Sequence, residues 1–280
     1  MEILVKGKKH YLEDTELVGI INVTPDSFYP ESRYSNKEKI VKAISRMVDM
    51  GLRIVDIGGE SSRPGAEPVT CSTEIDRIVP VIEEVRKNFP DLLISVDSYH
   101  PETVEAAMNI GADILNDITG LENPKLLQIA NRYKAAVIIM HMQGRPKNMQ
   151  KNPHYVNVVK EVSSFLFERA RKAIAYGIDK RSIVIDPGIG FGKKHEDNLK
   201  LLRNIDVFTR SGYPVLVGHS RKSFIGNILD LPVEERLEGT LAVTAYLFLK
   251  GVNFIRVHDI EQNQKIVRVL KALRSRDIIL

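Results

Sequence analysis

Short runs of Val, Ile and Leu recur along the chain, and each gives way to a polar or charged side chain. They are LVGIIN ending at Asn22, RIVDIGGE reaching Glu60, LLISVD ending at Asp97, DILND ending at Asp117, AVIIMH ending at His141, SIVID ending at Asp186, PVLVGHSRK reaching Lys222 and FIRVHD ending at Asp259. A stretch with helical spacing of apolar residues follows each run, as in Ile40, Val41, Ile44, Met47 and Val48 after the first. Eight strand–helix units predict an α/β fold, a closed (β/α)8 barrel of the TIM type, in which chemistry gathers at the C-terminal ends of the strands. A doubly wound open sheet shares the alternation. It is disfavoured because no Gly-rich phosphate turn follows the first strand and because polar strand ends recur on odd and even strands alike.

The same pattern places the elements. Residues 3–5 and 10–12 flank Gly7 and predict a small hairpin that closes the bottom of the barrel. Strands are expected at 18–22, 53–58, 92–97, 113–117, 136–141, 183–186, 214–218 and 254–258. The first helix should begin near Asn36, a good N-cap. The second should begin near Thr73, with Pro80 forcing a kink or a late start. Pro101 should open the third. Residues 142–154 read as a loop, and no linker divides the chain, so one domain over 1–280 is expected.

Composition narrows the class. The chain has 280 residues, 43% hydrophobic and 27% charged, with a formal charge of +4 spread along its length. That balance lacks the clustered basic face of a nucleic-acid binder. Cys71 is the single cysteine, so an intramolecular disulfide and a Cys-based zinc site are both excluded. The N-terminus has no apolar signal region and no run reaches membrane-spanning length, which predicts a cytoplasmic protein without a membrane partner. The histidines show no HxH or HExxH spacing, which disfavours a zinc hydrolase.

Four segments carry candidate chemistry. NVTPDSF follows the first strand, and Asn22 there offers a side-chain carbonyl to a cation; Pro25 and Asp26 also suit an ordinary turn. In GGESSRPGA, Gly58 and Gly59 permit close approach of a ligand, while Arg63 can reach an anion or remain a solvated loop charge. In DPGIGFGK, Asp186 ends an apolar strand, and a carboxylate there suits two adjacent donors on a heterocycle edge. The segment is neither a Walker loop nor GxGxxG. In GHSRKSFIG, two cations with hydroxyl and imidazole groups fit a phosphate or ring site after the seventh strand. Arg256 and His258 stand two residues apart on the eighth strand, an arrangement suited to a diphosphate. His141 reads more simply as a hydrogen-bonded rim histidine than as a catalyst.

Together NVTPDSF, GGESSRPGA, MHMQGRPKNMQ, DPGIGFGK and GHSRKSFIG resemble the dihydropteroate synthase family in order and approximate spacing, from about Val18 to Arg268. The resemblance implies a TIM barrel, usually a homodimer, that joins p-aminobenzoate to 6-hydroxymethyl-7,8-dihydropterin diphosphate with the help of Mg2+ and releases diphosphate. It implies a pterin site of Asp97, Asn116, Met140, Asp186, Phe191, Gly218 and Lys222. It implies diphosphate contacts from Asn22, Arg63, Arg256 and His258, with Asn22 also meeting the metal. Phe28, Ser62, Pro64, Lys222 and Ser223 would surround p-aminobenzoate, and Lys222, Asp186, Arg63 and Asp97 would carry catalysis. The chain departs from the family where Tyr29-Pro30-Glu31-Ser32 replaces the usual Ser-Asp-Gly-Gly, so Pro30 stands in place of the first loop's second aspartate. The first two loops, polar and rich in Gly, Pro and Ser, are expected to be mobile until the pterin diphosphate binds, which implies pterin before p-aminobenzoate.

Overall fold

The computed structural model describes residues 2–12, 14–24 and 33–274. β1 (Glu2–Val5) and β2 (Lys8–Tyr11) form an antiparallel hairpin across a two-residue turn. Lys6 and Gly7, at φ 48° and 76°, give that turn the left-handed geometry that tight hairpins require. The eight parallel strands follow: β3 (Glu16–Asn22), β4 (Ile54–Gly58), β5 (Leu93–Asp97), β6 (Ile114–Asp117), β7 (Ala136–Met140), β8 (Ile183–Asp186), β9 (Leu216–Gly218) and β10 (Phe254–Val257). Their order in the sheet is β8-β7-β6-β5-β4-β3-β10-β9. The ring closes where Ile185 bridges Val215 and its N–H donates to the Pro214 carbonyl at 2.9 Å.

Alternation along the strands separates two cores. Outward residues such as Val55, Ile94, Leu115, Val137, Ile185, Val217 and Ile255 pack beneath the helices. Inward residues Val18, Ile54, Leu93, Ile114, Ile138, Val184, Leu216 and Phe254 form a second cluster with Ile3, Val5 and Leu12 from the hairpin region. The hairpin therefore plugs the N-terminal end of the barrel, as expected. One period further along each strand, on the same inward face, come Ile20, Asp56, Ser95, Asn116, Met140, Asp186, Gly218 and Arg256. A single step of the strand repeat turns an apolar plug into a polar mouth.

The helices α1 (Arg33–Asp49), α2 (Cys71–Asn88), α3 (Pro101–Asn109), α4 (Pro124–Tyr133), α5 (Val158–Ala175), α6 (His195–Arg203), α7 (Asp206–Thr209), α8 (Ser223–Leu229), α9 (Leu237–Leu249) and α10 (Ile260–Arg274) run between and after the strands. Local chemistry sets several starts. Thr70 caps α2 by accepting from the Thr73 N–H, and Asn157 caps α5 by accepting from Lys160. Two expectations need correcting. α1 begins at Arg33, so Asn36 lies inside the helix and does not cap it. α2 starts early and runs through Pro80 to Asn88. Proline removes one hydrogen bond there, and burial of Ile78, Val81, Ile82 and Val85 outweighs the loss. The short helices α7 and α8 had no distinct signal in the apolar spacing. Among the described residues no helix is long and apolar enough to cross a membrane.

Candidate active site

The mouth of the barrel is organised by one buried ion pair. Arg256 Nη1 on β10 donates to Asp56 Oδ2 on β4 at 2.7 Å, and Asn116 Nδ2 on β6 donates to the same oxygen at 3.0 Å. Arg256 is 7% exposed, Asp56 4% and Asn116 fully buried, so these contacts form away from water, where an unpaired charge is costly. Gly218 on β9 makes room for the guanidinium: a Cβ there would come within 3.2 Å of Arg256 Nε. Asp56 Oδ1 and Asn116 Oδ1 are buried without a hydrogen-bond partner, which leaves acceptor capacity inside the pocket.

Two more carboxylates face the same cation. The Asp97 pKa is raised well above the ordinary value by burial and by the neighbouring Asp56, against the opposing pull of Arg256. Asp186 is also raised by burial, with Arg256, the Gly188 N–H and Lys222 opposing. Burial opposes the charge on Arg256, yet Asp56, Asp97 and Asp186 keep its pKa above the usual arginine value. The site thus holds three acids around one permanent cation. Lys222 supplies the adjustable one: burial pushes its pKa down to about 7, with Asp186 raising it and Arg256 lowering it. Its Nζ donates to the Ile189 carbonyl and lies 4.5 Å from the centre of the Phe191 ring. Phe191 packs with Met140, Ile118 and Met149 in a separate apolar cluster at the mouth. Acceptors on one side and an apolar, cation-topped wall on the other suit a flat heterocycle with several N–H groups.

Further polar groups stand at the ends of β3 and β10. His258 follows β10 directly, is solvent-accessible, and has Nδ1 3.0 Å from Ser220 Oγ. Its pKa is lowered by burial of the ring, with Arg221, Arg63 and Arg256 adding to the effect against Asp259. Arg63, on the second loop, is close enough to His258 to act on it electrostatically. Asn22 is exposed at the end of β3, beside Gly58 in the register.

The second loop is held. Glu60 Oε1 accepts from Tyr99 at 2.7 Å and Oε2 from the Val69 N–H at 3.0 Å; the Gly65 N–H donates to Pro146 at 2.9 Å, and Lys147 pairs with Glu67 at 2.8 Å. A recess of about 10 Å³ between Ser62, Asp97, Tyr99 and Ile118 brings that loop against the carboxylate wall. Pro64 and Ser223 are exposed. Phe28, with Pro30 and Glu31, lies outside the described residues.

The strand 9 segment also needs correction, because only part of it faces the pocket. Arg221, in left-handed geometry at φ 55°, turns away to a two-point pair with Asp259 at 2.8 and 2.9 Å and to the Glu234 carbonyl at 2.7 Å. His219 is buried against the Thr240 carbonyl and Thr244 Oγ1, both at 3.0 Å, and burial lowers its pKa to about 4. His141 is buried edge-on to Phe165, and burial together with Lys193 lowers its pKa to about 2, in keeping with a structural role. The residue missed by sequence reasoning is Asp56. Its signal was a carboxylate in the middle of an apolar strand run, a position that demands a partner.

A barrel whose mouth offers acidic acceptors to a ring and cations to a phosphate defines a class of pterin-handling enzyme. The family model described as pterin binding enzyme matches residues 18–258, and the chain belongs to that family. Within it the relatives are dihydropteroate synthases. The Haemophilus influenzae dihydropteroate synthase is 41% identical over 272 residues, spanning 97% of this chain and 98% of the relative. The Xanthomonas albilineans dihydropteroate synthase, solved with 4-aminobenzoic acid, superposes with a TM-score of 0.90 at 37% identity and 98% coverage of both chains. The same enzyme in complex with 7,8-dihydropteroate gives 0.87 at 35% identity, covering 98% of this chain and 99% of that one. The chain is a transferase with dihydropteroate synthase activity.

Proposed function

We propose that the mouth of this barrel joins 6-hydroxymethyl-7,8-dihydropterin diphosphate to p-aminobenzoate through the following division of labour. Asp97, Asn116 and Asp186 accept hydrogen bonds from the ring N–H and amine groups, with Met140, Phe191 and Gly218 along the ring and Lys222 over it. Asn22, Arg63, Arg256 and His258 hold the diphosphate. Ser62, Pro64, Ser223 and Phe28 enclose p-aminobenzoate, with Lys222 between the two subsites. The observation that carries this reading is the convergence of Asp56, Asp97 and Asp186 on one buried arginine. That arrangement can hold an N–H-rich ring and at the same time favour a leaving anion.

No side-chain nucleophile is required. The bond between the pterin methylene and the diphosphate oxygen breaks, and its electron pair leaves with the diphosphate. The aniline nitrogen supplies the pair for the new C–N bond and gives up a proton to the released diphosphate or solvent. Arg63, Arg256 and His258 favour the departing charge, and the carboxylate wall keeps the cationic ring in place. Mg2+ fits this arrangement sparsely from the protein side. Asn22 offers one neutral oxygen, and phosphate oxygens and waters would complete the shell, as is usual for this ion. The ion would neutralise part of the diphosphate charge.

Homodimer formation is supported by Leu249 and Leu273, each 73% exposed, and Val269, 58% exposed, on α9 and α10. A cytoplasmic location belongs to the same proposal; among the described residues no helix is long and apolar enough to cross a membrane. The test is turnover: the purified chain with both substrates should release diphosphate and form 7,8-dihydropteroate, and should lose most of this activity when Mg2+ is chelated. Pterin binding without diphosphate release would instead mark a binding homologue.

A further inference from the structure

Lys193 closes the DPGIGFGK segment, is 2% exposed, and has no part in the chemistry above. Its ammonium is surrounded by acceptors: the Gly188 and Phe191 carbonyls at 2.9 Å, His141 Nδ1 at 3.0 Å and the His141 carbonyl at 3.2 Å. An ammonium has three N–H groups, so the two loop carbonyls and the histidine can all be satisfied at once. His141 can accept because its lowered pKa keeps the ring neutral at physiological pH. Lys193 itself is pushed down to about 7 by burial, with Asp186 opposing.

What these contacts join matters for the site. Gly188 to Phe191 is a turn closed by the Phe191 N–H donating to the Gly188 carbonyl at 3.1 Å. The first residue's N–H is tied to Asp186 Oδ1 at 2.7 Å. The carbonyl of Ile189, inside the turn, receives Lys222, and the Phe191 ring lies beneath the Lys222 ammonium. The turn is pressed against β7 so closely that a Cβ at Gly188 would overlap the His141 carbonyl. Opposed carbonyls at such range repel, and a cation between them removes that cost.

We infer that Lys193 is a positioning residue for the pterin subsite, a buried ammonium that fastens the 188–191 turn to the end of β7 and so sets Phe191, Lys222 and Asp186 in register for the ring. It acts through these groups and need not touch the substrate. The inference rests on the pterin-site reading given above.

Two probe ligands separate this role from general damage. One is 6-hydroxymethyl-7,8-dihydropterin, which reports on the ring wall. The other is inorganic diphosphate with Mg2+, which reports on Asn22, Arg63, Arg256 and His258, groups on other strands and loops. Lys193→Met leaves the loop carbonyls without their donor. Charge-assisted hydrogen bonds of this kind contribute roughly 1.5–3 kcal/mol, so pterin affinity should fall by about 10-fold or more, while diphosphate affinity stays within about twofold. Equal losses for both probes, or no loss for either, would overturn the inference. Should Lys193→Met fail to fold, Lys193→Gln, which keeps one donor, is read in the same two titrations. It should weaken pterin selectively, and equal effects again overturn the proposal. Wild-type protein that binds no pterin would refute the pterin-site reading itself, whereas wild-type binding with an unaffected Lys193 variant refutes this inference alone.

Discussion

The two ends of the barrel are made by the same eight strands, yet one is a plug and the other a charged pocket. At the N-terminal end, Val18, Ile54, Leu216 and Phe254 meet Ile3 and Val5 in a dry cluster. Two residues later on each of those strands stand Ile20, Asp56, Gly218 and Arg256. The N-terminal end also holds a groove of about 750 Å³ outside the plug, edged by Lys9, His10, Arg53, Phe89, Leu92 and Lys271. Its charges are weakly engaged: Arg53 reaches Glu16 at 3.7 Å and the Tyr11 carbonyl at 3.4 Å. At the other end a recess of about 10 Å³ lies beside Asp97. The difference teaches that an open groove is not by itself a mark of chemistry. The C-terminal end is marked by buried charges that perturb one another, while Arg53 at the edge of the groove is exposed and weakly paired.

Substitutions at the two ends should therefore have unequal consequences. The largest effect is expected for Arg256→Met. Removing the cation leaves Asp56, Asp97 and Asp186 facing one another, and breaking a buried pair costs about 3–5 kcal/mol. We expect kcat/KM to fall on the order of 10³-fold. The variant's stability should decline as pH rises above the ordinary carboxylate range. Acids whose folded pKa is raised hold protons that the unfolded chain releases, so their contribution is present at low pH and lost on the way up. Thermal melts across pH check the sign; stability rising with pH would contradict it.

Asp186→Asn should weaken pterin binding by about 10- to 150-fold, the equivalent of one charge-assisted contact, as read by calorimetric titration. Unchanged affinity would remove Asp186 from the site. Asp97→Asn sharpens the contrast differently, because a raised pKa means that folding disfavours the charged form of this carboxyl and so costs stability above the ordinary carboxylate range. The variant should melt about 2–4 °C higher than wild type near pH 7.5 while losing turnover, and the gain should shrink as pH falls toward the ordinary carboxylate range. A lower melting temperature would argue against strain stored at this carboxylate. The smallest effect belongs to the other end: Arg53→Ala should leave kcat and both KM values within experimental scatter and cost under about 1 kcal/mol of stability. A substantial rise in either KM would break the comparison.

Much of this contrast was legible before any coordinates. Strand runs ending in Asn22, Asp97, Asp186 and His258 placed polar groups at one rim, since the barrel brings all C-terminal strand ends together. Arg256 was readable because it stands two residues from His258 on one strand face. What could not be read were contacts that depend on three-dimensional partners. Asp56 sits 200 positions from Arg256, and nothing in RIVDIGG says which cation it meets. Arg221 and Lys222 are adjacent, yet a left-handed backbone at Arg221 sends one to Asp259 and leaves the other at the pocket. The second loop's contacts with Tyr99, Pro146 and Lys147 could not be read from its own polar composition, because those partners stand on other loops. Lys193 was visible only as the end of a motif, because its role lies in the carbonyls folded around it.

The most direct test of where the chemistry lies is a crystal structure of the protein soaked with 6-hydroxymethyl-7,8-dihydropterin. The account predicts the ring at the C-terminal mouth, with its N–H groups within hydrogen-bond distance of Asp97, Asn116 and Asp186 and its face along Phe191. A ring bound instead in the groove beside Arg53 and Phe89, with the mouth empty, would contradict it.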